Sequence, residues 1–198
     1  MTENIHPIFN KLLDRKAKET LLNQRGVAVW MTGLSGSGKS TLANELENRL
    51  YKEGIITKIL DGDNVRTGLN KNLGFSNEDR HENIRRVAET AKLFIDNGIV
   101  TLCSFVSPTK EIRGMACKII GKDDFLEIYV KASFEECGKR DVKGLYKKAL
   151  NGEIKDFTGL DAPFDIPVKP FLEIDTEKLS IDESVNLLYQ QVIKKIRT

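Results

Sequence analysis

At 198 residues the chain has the length of one ordinary domain with a core of its own. Its composition, 40% apolar and 30% charged, is that of a globular protein, and a formal net charge of +2 argues against a nucleic-acid or membrane partner. Three widely spaced cysteines, Cys103, Cys117 and Cys137, make neither a zinc pattern nor a disulfide framework. They are expected as reduced, buried, small apolar side chains.

The predicted elements alternate along the chain. Residues 1–24 form an N-terminal extension of helical character, with no apolar core of a signal peptide and no run approaching a membrane span. A cytoplasmic location is therefore expected. "GVAVWMTG" (26–33) reads as a buried strand, and from Lys39 a helix carries Leu42, Leu46 and Leu50 on one face and stops at Gly54. "IITKILD" is a second strand. Ser76 opens a helix, with Asp79 placed for a capping box and Ile84, Val87, Ala88, Ala91, Phe94 and Ile95 as its apolar stripe, ending at Gly98. "IVTLCSFV", "FLEIYVKA" and "PFLEID" are three more strands, "KEIRGMACKII" is a short helix, and "IDESVNLLYQQVIKKI" is an amphipathic helix. A polar, lysine- and glycine-rich tract spans 141–169. This order predicts an α/β fold: one domain over 25–198 with a doubly wound, mostly parallel sheet flanked by helices.

Gly33-Leu34-Ser35-Gly36-Ser37-Gly38-Lys39-Ser40 satisfies G-x-x-x-x-G-K-[ST] between a predicted strand and helix, and Thr41 follows it. Glycines let successive amides turn inward around phosphate oxygens, and the helix adds the positive end of its dipole. Lys39 is placed to reach the β- and γ-phosphates of ATP, and the Ser40 hydroxyl to ligate Mg²⁺. A glycine-rich turn without a ligand is the bland rival.

A phosphate loop identifies a donor and leaves the acceptor open. Asp61 ends the second strand, at the sheet edge where α/β ligands bind, and a carboxylate there suits a magnesium ion or a reacting hydroxyl. Asp63 has the same chemistry or suits a ribose hydroxyl. "DGDN" is also turn chemistry, so both readings stand. Arg66 and Arg80 carry planar forks for an anion, whereas Arg85 and Arg86 read as a solvated helix face. Phe75 suits either stacking on a base or a hydrophobic staple on the following helix.

"GLSGSGKST", "DGDNVR", "NLGFSNEDRHENIRRV", "SFVSP", "KGLYKKA" and "FTGLDAPFD" occur in this order over residues 25–175 and together resemble the adenylylsulfate kinases. The resemblance implies phosphorylation of adenosine 5′-phosphosulfate (APS) at its 3′-hydroxyl by ATP with Mg²⁺, giving 3′-phosphoadenylylsulfate (PAPS) in sulfate assimilation. It implies Asp61 as base or metal partner beside Asp63. Arg66, Arg80 and Asn83 would contact the phosphosulfate and ribose, and Phe75 the adenine. Residues 141–169 would be a mobile lid, with Arg140 near the ATP adenine and Lys143 and Phe164 approaching the substrates. It also implies a homodimer and a possible separate ATP sulfurylase partner. Ser107 matches the family's phosphoserine position, but nothing near it in sequence resembles an activating base. A substrate-binding or structural serine is the expectation.

The chain departs from the family pattern at Thr109-Lys110, where an aromatic–arginine pair is usual, at Val142, where proline is usual, and at Leu150, where a basic residue is common. Rival functions are another small-molecule or nucleoside kinase and a non-catalytic nucleotide-binding regulatory module. Preference for APS among acceptors separates the first, and ADP release that depends on APS separates the second.

Overall fold

The computed structural model describes residues 4–8, 11–141 and 143–197. Five strands, β1 (Ala28–Thr32), β2 (Thr57–Asp61), β3 (Val100–Ser104), β4 (Phe125–Lys131) and β5 (Leu172–Asp175), form one sheet in the order β2-β3-β1-β4-β5. Every pairing in it is parallel. The helices in chain order are α1 (Arg15–Leu22), α2 (Lys39–Lys52), α3 (Gly62–Arg66), α4 (Asn77–Ile95), α5 (Lys110–Ile120), α6 (Phe134–Arg140), α7 (Leu145–Leu150) and α8 (Ile181–Ile196).

β1 is buried along its whole length, which is why its sequence is continuously apolar rather than alternating. Its pleat still sorts residues to two faces. Val29 and Met31 pack with Leu42, Leu46, Leu188 and Val192 of α2 and α8, while Ala28 and Trp30 pack with Val87, Ala91 and Ala116 of α4 and α5. The result is three layers, with the strand ends of β1, β2 and β3 opening on one edge. At the opposite edge, where these strands begin, Gln24 in the turn after α1 is buried, donating to the carbonyls of Ile56 at 2.9 Å and Gly98 at 2.7 Å.

The strands and long helices fall where periodicity places them, within a residue or two. Three short helices were not expected. α3 is a single turn built from "GDNVR", and α6 and α7 follow β4. The tract from 141 to 169 is accordingly not all loop. Tyr146, Ala149 and Phe157 are buried with Cys137 and Phe134 in a small third cluster, into which Leu34 of the glycine loop inserts. Ser76 caps α4 as expected by accepting from Asp79 N at 3.1 Å, but the box does not close. The Asp79 carboxylate turns instead to Gly74 N, at 2.9 Å, because the chain approaches the helix through that glycine. Cys103 and Cys137 are buried and Cys117 is half-buried, and all three are free thiols. No helix among the described residues is long and apolar enough to cross a membrane.

Candidate active site

The glycine loop joins β1 to α2. Gly33, Gly36 and Gly38 all take positive φ, and a Cβ on Gly33 would lie 2.3 Å from the Val130 carbonyl oxygen, so no other residue fits there. The loop's carbonyls are turned outward by a set of donors. Lys39 Nζ donates to Gly33 O at 3.0 Å and Leu34 O at 2.7 Å. Tyr146 Oη donates to Ser35 O at 2.7 Å, Arg140 Nη1 to Gly36 O at 3.4 Å, and Thr176 Oγ1 to Ser37 O at 3.0 Å. With the carbonyls held outward, the amides of Gly36, Gly38, Lys39 and Ser40 have no protein acceptor among the described residues. α1, α3, α4, α5, α6 and α8 are each capped by a side chain, whereas α2 begins at Gly38 with none. A long helix whose start is left open in this way is an anion site. The buried Ser37 hydroxyl also lacks a partner. These features fit the phosphates of ATP.

Lys39 is 8% exposed, and burial, partly countered by Cys137, pulls its ammonium down to about 8. Bound phosphates would supply the negative charge it lacks.

Asp61 faces both ways. Its Oδ2 accepts from Ser40 Oγ at 2.6 Å, and its Oδ1 accepts from Asp63 N at 3.1 Å as the N-cap of α3. The turn reading of "DGDN" is therefore met by the cap, and the same carboxylate also reaches the phosphate-loop helix. Ser104 Oγ, at the end of the intervening strand β3, lies 3.2 Å from Ser40 Oγ. One carboxylate and two hydroxyls form a sparse oxygen set of the kind Mg²⁺ uses when substrate phosphates and waters complete its shell. The pair Asp61–Ser40 has oxygen chemistry that fits such an ion.

The remaining candidate residues divide. Asp63 pairs with Lys143 across the opening between α3 and α7. Arg66 lies over the Phe75 ring at 4.4 Å and donates to Leu73 O and Gly74 O at 3.0 and 2.8 Å. Phe75 is 67% exposed, and the position where a staple would need an apolar partner holds Arg80, so the ring is not a staple. Arg80 reaches the long tract, donating to Asp156 O at 2.7 Å and Thr158 Oγ1 at 3.1 Å. Asn83 does not open on this surface. It is buried, and its Oδ1 accepts from the buried Asn70 at 2.9 Å. Phe164 stacks on Tyr129 with centroids 6.0 Å apart, beside a cavity of about 860 Å³ that also includes Leu34 and Phe134. Arg85 and Arg86 pair with Glu82 on the helix surface, as a solvated face should.

Ser107 is buried and takes φ 43°, in the left-handed region. Its Oγ accepts from Trp30 Nε1 at 3.1 Å, and its carbonyl accepts from Thr32 Oγ1 at 3.3 Å and Arg113 Nη1 at 2.9 Å. Among the described residues no base stands at the hydroxyl, whose partner is an indole. Thr109 caps α5 in place of the family's aromatic residue, and Lys110 N donates to Asp165 Oδ2 at 2.8 Å. Leu150 is exposed, and Val142 lies outside the described residues.

Four contributors were not anticipated: Ser104, Arg113, Tyr146 and Thr176. A hydroxyl ending an apolar strand and an arginine on the apolar face of "KEIRGMACKII" were signals for the first two. Nothing local marked Thr176.

The family model described as adenylylsulphate kinase matches residues 25–175. An adenylyl-sulfate kinase of Phocaeicola vulgatus is 62% identical over 191 residues, covering 96% of this chain and 94% of that protein. One from Bacteroides thetaiotaomicron is 58% identical over 193 residues, covering 98% and 96%. Among solved structures, the Mycobacterium tuberculosis APS kinase in complex with AMPPNP and APS superimposes with a TM-score of 0.82 at 44% identity, covering 85% of this chain and 98% of that one. With an open phosphate loop, a magnesium-compatible Ser–Asp pair and these relatives over nearly its whole length, the chain belongs to the adenylylsulfate kinase family.

Proposed function

We propose that the protein transfers the γ-phosphoryl group of ATP to the 3′-hydroxyl of APS, giving PAPS and ADP. The carrying observation is Asp61, whose carboxylate joins the phosphate-loop helix through Ser40 and caps the turn that leads to Arg66. Donor and acceptor segments therefore meet at one group.

In this reading Gly33, Leu34, Ser35, Gly36, Ser37, Gly38, Lys39, Ser40 and Thr41 hold the triphosphate. Lys39 exchanges its loop carbonyls for phosphate oxygens and offsets charge on the group in flight. Ser40 and Asp61 would hold Mg²⁺, which would supply neutralisation of phosphate charge. Asp61 orients the acceptor hydroxyl and takes its proton, and Asp63 holds the ribose beside it. Arg66 and Arg80 give their forks to the phosphosulfate, with Asn83 setting the helix behind them. The exposed Phe75 ring and Phe164 contact the adenine. Arg140 serves the ATP side, as its bond to Gly36 O supports. Residues 141–169 act as the lid of a domain spanning 25–198, with Lys143 carrying it to Asp63, and closure keeps water from ATP. Ser107 is structural.

The reading extends to a cytoplasmic homodimer and to a separate ATP sulfurylase as the supplier of APS. Exposed Ile5, Ile8, Leu12, Leu13 and Leu21 in the N-terminal segment support self-association. Sedimentation at two concentrations tests the dimer. The activity is tested by turnover with ATP and APS against a panel of sugar and nucleoside alcohols. Strong preference for APS is expected, and equal or better use of another acceptor would overturn the assignment.

A further inference from the structure

Arg113 is a charged side chain on the face of α5 that otherwise buries Ile112, Ala116 and Ile120, and it is only 5% exposed. Such a placement costs stability unless nearly every guanidinium donor finds an acceptor. Here they do. Nε pairs with Glu127 of β4 at 2.7 Å, Nη1 donates to Ser107 O at 2.9 Å and Pro108 O at 3.1 Å, and Nη2 donates to Asp165 O at 2.7 Å. The same guanidinium lies 5.9 Å from the Phe164 ring centroid, within cation–π range.

Three chain segments are thereby pinned to one planar group. The turn after β3 holds Ser107 in a left-handed conformation, and two further bonds, Asp165 N to Pro108 O and Lys110 N to Asp165 Oδ2, both 2.8 Å, close the circuit. Phe164 contacts both the Arg113 fork and the Tyr129 ring, so its orientation is set by these two side chains. Among the described residues, no hydrogen bond joins this circuit to the glycine loop.

From this geometry we infer that Arg113 is a positioning residue for the acceptor side. It anchors the 164–165 end of the lid tract, Phe164 included, to the 107–108 turn and the sheet, and so governs binding of the acceptor nucleotide without governing binding of ATP. The inference rests on the APS kinase reading, and it concerns a residue that never meets substrate. Lysine keeps the charge opposite Glu127 but lacks the planar fork that serves three carbonyls at once.

The test compares wild type with Arg113→Lys and with the Arg113→Gln, Glu127→Gln double variant, which leaves no unpaired carboxylate. Turnover by wild type with APS checks the underlying reading separately. For both variants KM for APS is expected to rise roughly tenfold or more, with KM for ATP within about twofold of wild type. Circular dichroism and the thermal midpoint accompany the kinetics. Equal loss of ATP and APS binding would reduce Arg113 to a general stabiliser, and an unchanged KM for APS in a folded variant would overturn the inference outright. If both variants unfold, Asp165→Ala in the native background decides, because it cuts the Lys110 link of the circuit and leaves the Phe164 ring in place. A rise in APS KM with ATP KM unchanged supports the pinned unit, and no change refutes it.

Discussion

Ser40 Oγ donates to Asp61 Oδ2 across 2.6 Å, although β3 separates the strands that precede them. That bond places the first turn of the phosphate-loop helix and the start of α3 on a single carboxylate. Asn at position 61 keeps the capping ability and volume but loses the charge. Asp61→Asn is expected to melt within a few degrees of wild type and to lose at least about a hundredfold in kcat. Steady-state assays with thermal melts check both, and near-normal turnover would remove Asp61 from the mechanism.

Burial lowers the Lys39 ammonium from 10.5 to about 8. Below about pH 8 both folded and unfolded chains hold this proton. Between about pH 8 and 10.5 the unfolded chain binds more of it, so the folding free energy grows with pH in that window. The gain over the window is about 3 kcal/mol. Lys39→Met has no such group. Denaturation curves of the two proteins should diverge in favour of wild type as pH rises from 8 to 10.5. Parallel curves would mean that Lys39 is not buried in the free protein.

Ser107→Ala removes the acceptor of the Trp30 indole and costs about 1–2 kcal/mol of stability. Turnover is expected to stay within several-fold of wild type. Complete loss of turnover in a folded variant that still binds both substrates would restore the phosphoserine mechanism.

Phe75 is exposed, so Phe75→Ala should leave the melting midpoint unchanged. Loss of a base–aromatic stack is worth about 1–3 kcal/mol, or roughly five- to 150-fold in KM for APS. Phe75→Tyr should restore it. Titration calorimetry with APS measures the loss directly, and wild-type affinity in Phe75→Ala would leave the ring without a role.

Tyr146→Phe deletes one hydroxyl, the donor to Ser35 O. Stability should fall by about 1 kcal/mol, and KM for ATP should rise several-fold because the loop's carbonyls are no longer all held outward. An unchanged ATP affinity would show that the loop keeps its shape without help from α7.

The donor site was legible because its physics is local. Positive φ at Gly33, Gly36 and Gly38, an inward row of amides and a lysine at a set spacing are all written within one short stretch. The strands and long helices were legible for the same reason, since burial of one face imposes a period on neighbours in sequence. Asp61 was legible only as a residue at a strand end, and Phe75 stood between two readings until its ring proved exposed beside Arg66. The short helix α7 was hidden because "LYKKAL" is too brief for a period, and only burial of Tyr146 and Ala149 against Phe134 holds it.

By itself, then, the amino-acid order determined a parallel α/β domain with an ATP-type phosphate loop and, through its ordered motifs, the family of the acceptor. The tertiary structure alone decided which groups meet: Ser40 with Asp61, Lys143 with Asp63, and Arg113 with the carbonyls of Ser107, Pro108 and Asp165. Local preferences are set by each residue's own backbone and near neighbours. These meetings arise when strand order and core packing bring distant polar groups into places where each must find a partner or remain buried without one.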